Sequence, residues 1–267
     1  MLLMDDGAVY TFGSGQSGRL GHGDLLDSFV PRELLPISSD EGMALHVVGI
    51  SAGGGHSMAW CAAGELVTWG AAQPAGHGLS EDTMEPKMIN HAGFGGVSVI
   101  EASGGGSHSV ARGQDGQVYT WGAGTEGQLG HNRHIEEKYP REVEALEGLG
   151  AIRVATGEKH TLILDRNGTC WAFGSNDCGQ LGVGSHFEDE GSRFESTPRS
   201  IPIEGVLEID AGDSHSALMD ERRELFLWGS GEDGQLGLGA DDDESLPHNV
   251  ALTQMRRDGA KSISYNY

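Results

Sequence analysis

Residues 121–132 read Trp-Gly-Ala-Gly-Thr-Glu-Gly-Gln-Leu-Gly-His-Asn, four glycines in twelve positions behind a tryptophan. The stretch has two readings. Glycines that let backbone amides crowd around an anion make a phosphate loop, but such a loop follows a strand and opens a helix. Glycines that supply left-handed turns instead punctuate a repeat. No helical periodicity follows His131, so the phosphate reading lacks its second half.

The stretch recurs. Aligning on the aromatic-glycine pair gives anchors at Gly13, Gly70, Gly122, Gly174 and Gly229, spaced 57, 52, 52 and 55 residues apart. A second landmark, Gly-x-x-His-Ser/Thr, is centred on His56, His108, His160 and His215, each 14 residues ahead of its anchor. Between the landmarks lie two alternating apolar stretches, joined at Gln114-Asp115-Gly116 in the third copy and Arg166-Asn167-Gly168 in the fourth. Asp-Gly or Asn-Gly between such stretches is a strong hairpin signal. Asn167-Gly168-Thr169 also matches a glycosylation acceptor, but its Asn-Gly reads better as the turn. Downstream a proline recurs at Pro31, Pro86, Pro140, Pro198 and Pro247 and is expected to open a further extended segment. A last strand, such as residues 151–157, leads into the next histidine. Four short strands in about 50 residues, repeated, make an all-β chain of four-stranded propeller blades. One domain of about five blades is expected over residues 1–267.

Composition agrees. Glycine takes 44 of 267 positions, against a typical usage of about 7%. The glycines follow no G-X-Y period, so they fit many tight turns and not a collagen. The net charge of −23 repels phosphate backbones and anionic lipid, so direct nucleic-acid binding and membrane insertion are not expected. A partner with a basic patch suits that field. Cys61, Cys170 and Cys178 form no C-x-x-C pair, which argues against a disulfide framework or a zinc site. The acidic start resembles no signal peptide and no apolar run nears 18 residues, so an intracellular place, cytoplasmic or nuclear, is expected.

The W/F-G-x-G-x-x-G-Q-L-G stretches and the histidine segments ahead of them resemble the regulator-of-chromosome-condensation (RCC-type) repeat propellers over nearly the whole chain. Tryptophan-aspartate and kelch propellers carry other signatures. Two copies depart from the pattern. The second, Trp69-Gly-Ala-Ala-Gln-Pro-Ala-Gly-His-Gly, lacks Gly-Gln-Leu-Gly and is two residues short, so its loop is expected to be remodelled. The fourth carries about six extra residues around 186–196, the kind of insertion that maps to a loop on a binding face. The resemblance implies seven blades where five repeats are present. A closed five-bladed ring, a fragment of a seven-bladed protein and an incomplete reading frame all fit, with the fragment or incomplete frame favoured. The partial repeats at the two ends would together make one blade.

The chemistry is weighed on the same register. A side chain recurring once per repeat, as His56, His108, His160 and His215 do, or His22, His77 and His131, reads as a structural hydrogen-bonder and not a metal ligand. Trp69, Trp121 and Trp228, with Phe12 and Phe173 in the same place, read as blade core. They do not form the tryptophan-rich cluster of the ultraviolet-sensing members, whose Gly-Trp-Arg-His-Thr motif is absent. No nucleophile elbow, metal set or cofactor motif stands out, so no catalytic residue, metal or cofactor is assigned.

The resemblance implies three roles: partner-binding or regulatory module, nucleotide exchange on a small Ras-like GTPase, and capping of a hydrolase. A non-catalytic protein-binding module is favoured. Its contacts are expected in two irregular loops, with Phe187, Glu188, Asp189, Glu190 and Phe194 in one and Asp241, Asp242, Asp243 and Glu244 in the other. Exposed aromatics in an acidic rim suit a basic partner, since aromatics anchor and charges steer. For exchange, the repeat register nominates Asp213, His215, Glu158 and His160.

Overall fold

The computed structural model describes residues 1–39, 42–89, 91–184 and 193–250. The chain falls into two compact units, Met1–Gly124 with Ile135–Val143, and Thr125–His134 with Glu144–Tyr267. Every strand in both units pairs antiparallel with its neighbours.

The first unit holds three sheets. One is β1 (Leu2–Leu3), β2 (Val9–Gly13) and β3 (Ser28–Glu33). The next is β4 (Val47–Ala52), β5 (His56–Cys61), β6 (Leu66–Gly70) and β7 (Thr83–Met88). The third is β8 (Val99–Gly104), β9 (His108–Gly113), β10 (Val118–Gly122) and β11 (Glu137–Glu142). Among its described residues the second unit holds two sheets. These are β12 (Ala151–Thr156), β13 (His160–Asp165), β14 (Cys170–Ser175) and β15 (Phe194–Ser200), then β16 (Val206–Ala211), β17 (His215–Asp220), β18 (Leu225–Gly229) and β19 (Glu244–Asn249). In every four-stranded sheet spatial order follows chain order, the arrangement of a propeller blade.

The 14-residue spacing of the two landmarks is a hairpin register. His56 lies opposite Gly70, His108 opposite Gly122, His160 opposite Gly174 and His215 opposite Gly229. A Cβ on the anchor glycine would fall 2.6–2.8 Å from the Cα of that histidine, and the anchors have φ between +98° and +115°. Both facts demand glycine. The hairpin turns use one residue more than a two-residue loop. Gly168, at φ +78°, donates its N–H to the Asp165 carbonyl at 3.1 Å, while the Asp165 carboxylate accepts the N–H groups of Asn167 and Thr169. This is a three-residue loop ending in a left-handed glycine.

The recurring proline does not open its strand. It sits inside the fourth strand, where the pairing slips: Thr120 faces Arg141 and Gly122 faces Glu137, so Pro140 lies in the bulge. The same slip brackets Pro31, Pro86, Pro198 and Pro247. An outer strand with a bulge is where a missing N–H costs least. The shortened second copy is remodelled as expected, and into a helical turn: α1 (Ala72–Ala75) closes on a left-handed Gly76.

Cores form between neighbouring sheets of one unit. Val9, Leu34, Ala59, Val67 and Trp69 fill one, and Met58, Leu66, Phe94, Ala111 and Trp121 the next. In the second unit Leu162, Leu164, Cys170, Leu181, Leu218 and Trp228 pack together. The two central strands are thus buried on both faces, which is why β13 reads His-Thr-Leu-Ile-Leu-Asp with every residue buried.

Candidate functional site

The side chains that recur in every repeat are spent on joining sheets. The Arg19 carbonyl accepts the Ser57 hydroxyl at 2.8 Å and the Trp69 indole N–H at 2.9 Å. Pro74 does the same for Ser109 and Trp121, both at 2.8 Å, and Gln180 for Ser216 and Trp228, both at 2.8 Å. Gln128 accepts the Thr161 hydroxyl at 2.9 Å; the residue beside the anchor in that repeat is Phe173, which has no N–H to give. Each acceptor belongs to the glycine turn of one repeat, each donor to the hairpin of the next.

The histidines extend the same seam. Ser109 Oγ lies 2.7 Å from His56 Nε2, and Ser216 Oγ 2.8 Å from His160 Nε2. The hydroxyls already donate to carbonyls, so the imidazole Nε2 is the donor. The rings lie against Gly53 and Gly157, where no Cβ fits. Burial pushes His56 down to about 3, helped by His108 and Arg19, and burial pushes His108 down to about 4. These are neutral rings at ordinary pH. His22 and His77 stand 2.9 Å from the hydroxyls of Thr11 and Thr68, which also donate to the carbonyls of Leu20 and Ala75. Among the described residues no group of three His, Cys, Asp or Glu side chains could hold a metal ion.

With those groups committed, the polar surface left for function is in the turns. In the second unit it is acidic. Asp241, Asp242 and Asp243 are exposed, and Glu244 starts β19 opposite Gly229. Asp243 also has a structural task, accepting the Gly231 N–H at 2.9 Å as Asp27 does for Gly15 and Asp82 for Ala72. The patch is wider than these four residues. The half-buried thiol of Cys178 is pushed up by burial, then by Asp243, Asp177 and Glu232, so three carboxylates converge on it. Asp177 and Glu232 both stand three positions after an anchor glycine. Comparing the turns position by position would have found them.

Phe187, Glu188, Asp189 and Glu190 lie outside the described residues. Phe194 is not a loop aromatic: it begins β15, is half-buried, and its ring stands 4.7 Å from that of His134. By pairing register it replaces the turn-capping aspartate found at Asp27, Asp82 and Asp243, and Asn176 donates instead to the Arg193 carbonyl at 2.7 Å. Arg193 also lies 3.8 Å from Asp177 in an exposed pair, a contact contributing about 0–1 kcal/mol.

The exchange candidates gather at one seam. Glu158 precedes β13 and Asp213 precedes β17; both are exposed, and the Glu158 N–H donates to the Asp213 carbonyl at 3.0 Å. His160 is fully buried. His215 is half-buried, pushed down by burial against the opposing pull of Asp213.

The family model described as RCC1-like domain matches residues 1–265. The E3 ubiquitin-protein ligase HERC2 of Homo sapiens is 32% identical over 256 residues, covering 94% of this chain and 5% of that protein. The ultraviolet-B receptor UVR8 of Arabidopsis thaliana is 30% identical over 247 residues, covering 91% of this chain and 53% of the receptor. The chain thus spans a small part of the first and about half of the second. Among solved structures, yeast RCC1 (Prp20) bound to Kap60 superposes with a TM-score of 0.79 at 21% identity, over 93% of this chain and 58% of that one. A second structure, of Prp20p from Saccharomyces cerevisiae, described with its binding properties to Gsp1p and histones, gives 0.78 at 22% over 93% and 60%. These similarities establish the propeller fold.

Proposed function

The chain belongs to the RCC1-like domain family, and from that premise we propose that it acts without covalent chemistry, as a module that captures a basic segment of a partner protein inside the cell. The observation that carries this reading is the acidic face of the second unit, where Asp177, Glu232, Asp241, Asp242 and Asp243 crowd exposed or half-exposed turns. None of the described ion pairs involves residues 241–244. A net charge of −23 steers a cationic partner toward that face. Histones, to which the related yeast Prp20p binds, are partners of that chemistry. Phe187, with Glu188, Asp189 and Glu190, would supply the apolar anchor and further charge beside the half-buried ring of Phe194.

Capture from lysate tests this. Asp241→Ser with Asp242→Ser, and separately Phe187→Ala with Phe194→Ala, are expected to weaken capture at least tenfold, with the first pair also flattening its salt dependence. Capture that survives both pairs overturns the reading.

Nucleotide exchange on a small GTPase is the second reading, favoured by the Glu158–Asp213 bond that sets two exposed acids side by side. Its signature is a GTPase held in EDTA and released by magnesium and GTP. Capture indifferent to nucleotide leaves the basic-segment reading alone.

A further inference from the structure

The connections from one sheet to the next differ in length, and the shortest leaves a space. Between β7 and β8 the chain turns through His91–Phe94 and buries Phe94. Between β11 and β12 it turns through Glu144–Leu146 and buries Leu146. Residues 201–205, between β15 and β16, have no such helical turn. The Ile203 N–H donates instead to the Ile201 carbonyl at 2.9 Å, a tight bend around Pro202. Ile201 is buried, Ile203 half-buried and Pro202 exposed.

That space is a pocket of about 690 Å³ inside the second unit, bounded by the β13–β14 turn, residues 201–205 and Glu221. Small-molecule sites have volumes of about 300–1,000 Å³. Main-chain bonds tie its parts together. The Val206 N–H donates to the Gly168 carbonyl at 3.0 Å, and the Glu221 N–H to the Gly205 carbonyl at 2.8 Å. Ile201, Pro202 and Ile203 give the pocket an apolar side. Its polar groups are uncommitted: the side chains of Asn167, Thr169, Ser200, Glu204 and Glu221 make no hydrogen bond or ion pair among those described. The Glu221 carboxyl carbon lies 3.1 Å from the place of a Cβ on Gly205, so it leans over the bend beside Glu204. Among the described residues no lysine, arginine or histidine lines the pocket. The cation of the β13–β14 turn, Arg166, lies against Gly150 instead.

We propose that this pocket binds the side chain of an arginine carried by a peptide. Two carboxylates without a counter-ion call for a cation. A guanidinium brings only donors, in a planar fork, and the pocket offers carboxylate, hydroxyl and carboxamide oxygens to take them. The aliphatic stem would lie along Pro202 and Ile203, since arginine buries its stem while its charge stays with polar groups. The site is separate from the acidic face. Asp177 and Glu232 follow the ends of β14 and β18, whereas Thr169 and Glu221 precede their starts. Pocket and acidic turns therefore stand at opposite ends of the same strands, and neither needs the other.

Titration of the intact chain with Nα-acetyl-arginine amide, followed by its backbone amide resonances, tests this. Gly168, Gly205 and Glu221 should shift together and saturate with a dissociation constant of about 1 mM. Nα-acetyl-citrulline amide, alike in shape but uncharged, should not bind, and Nα-acetyl-lysine amide should bind more weakly. Glu204→Gln with Glu221→Gln should weaken binding by about tenfold or more. Both acids are exposed, so the thermal midpoint should hold. Glu81→Gln with Glu147→Gln makes the same change of net charge elsewhere and should leave the titration unchanged. Shifts that never saturate, citrulline or lysine amides that bind as tightly, or a control pair that weakens binding equally overturn the proposal. Shifts centred on residues 176–184 or 230–243 overturn it too, and place the cation on the acidic face.

Discussion

The indole N–H of Trp121 donates to the main-chain carbonyl of Pro74 at 2.8 Å, across 47 positions of sequence. Neither residue predicts the other by type; the bond exists because the glycine turn of one repeat delivers a bare carbonyl to the hairpin of the next. Trp121→Phe keeps most of the buried ring and removes only this donor, as the natural Phe173 does. A loss of about 1–2 kcal/mol is expected. Trp121→Ala opens a cavity and should cost about 3–5 kcal/mol. Urea titration of the two variants checks the ranking.

Gly179 and Gly234 hold the same place in consecutive turns, with φ of +82° and +74°. Alanine at Gly234 meets no neighbour among the described residues, only left-handed strain, about 1–2 kcal/mol. Alanine at Gly179 meets that strain and the Ser245 main chain 2.6 Å away, so about 1–3 kcal/mol is added. Equal thermal midpoints for the two variants would contradict the seam geometry.

His56 and His108, held near 3 and 4 by burial, ionise far more readily in the unfolded chain. Their folded values lie below the unfolded one. The stability they contribute is therefore complete above about pH 6.5 and is lost as pH falls toward 4. Each should cost roughly 1–2 kcal/mol by pH 5. His56→Gln, which can still donate to Ser109, should flatten the acid limb of the stability curve while lowering its plateau.

Asp243 caps the Gly231 N–H while Asp242, its exposed neighbour, has no such bond among those described. Asp243→Ala should cost about 1 kcal/mol, and Asp242→Ala should leave the thermal midpoint unchanged. Both should weaken capture of a basic partner. A loss of binding confined to Asp243→Ala would point to turn geometry and not charge.

The hairpins were legible in the sequence because their evidence is side-chain chemistry at fixed spacing. His108 and Gly122 are 14 apart because they are paired, and Trp121 sits beside Gly122 because that face is buried. The acceptors of the seam were not legible, since a carbonyl at Arg19, Pro74 or Gln180 looks like any other in a string of letters. Pro140 misled for a related reason: its place inside β11 makes sense only once the bulge opposite Trp121 is known. Phe194 read as a loop aromatic because nothing local reveals that it occupies an aspartate's register. Asp177 and Glu232 were visible in principle, but the repeat was aligned for what its copies share, and these acids are what the later copies add.

Trp69, Trp121 and Trp228 donate to the carbonyls of Arg19, Pro74 and Gln180, each at a different junction between sheets. Their three indole protons are therefore built-in reporters, chemically alike and separable by assignment. The exchange rate of each with deuterium measures how often its own junction opens. Most proteins must be labelled to resolve loosening piece by piece; here the folding pattern has placed the probes already, one to a seam.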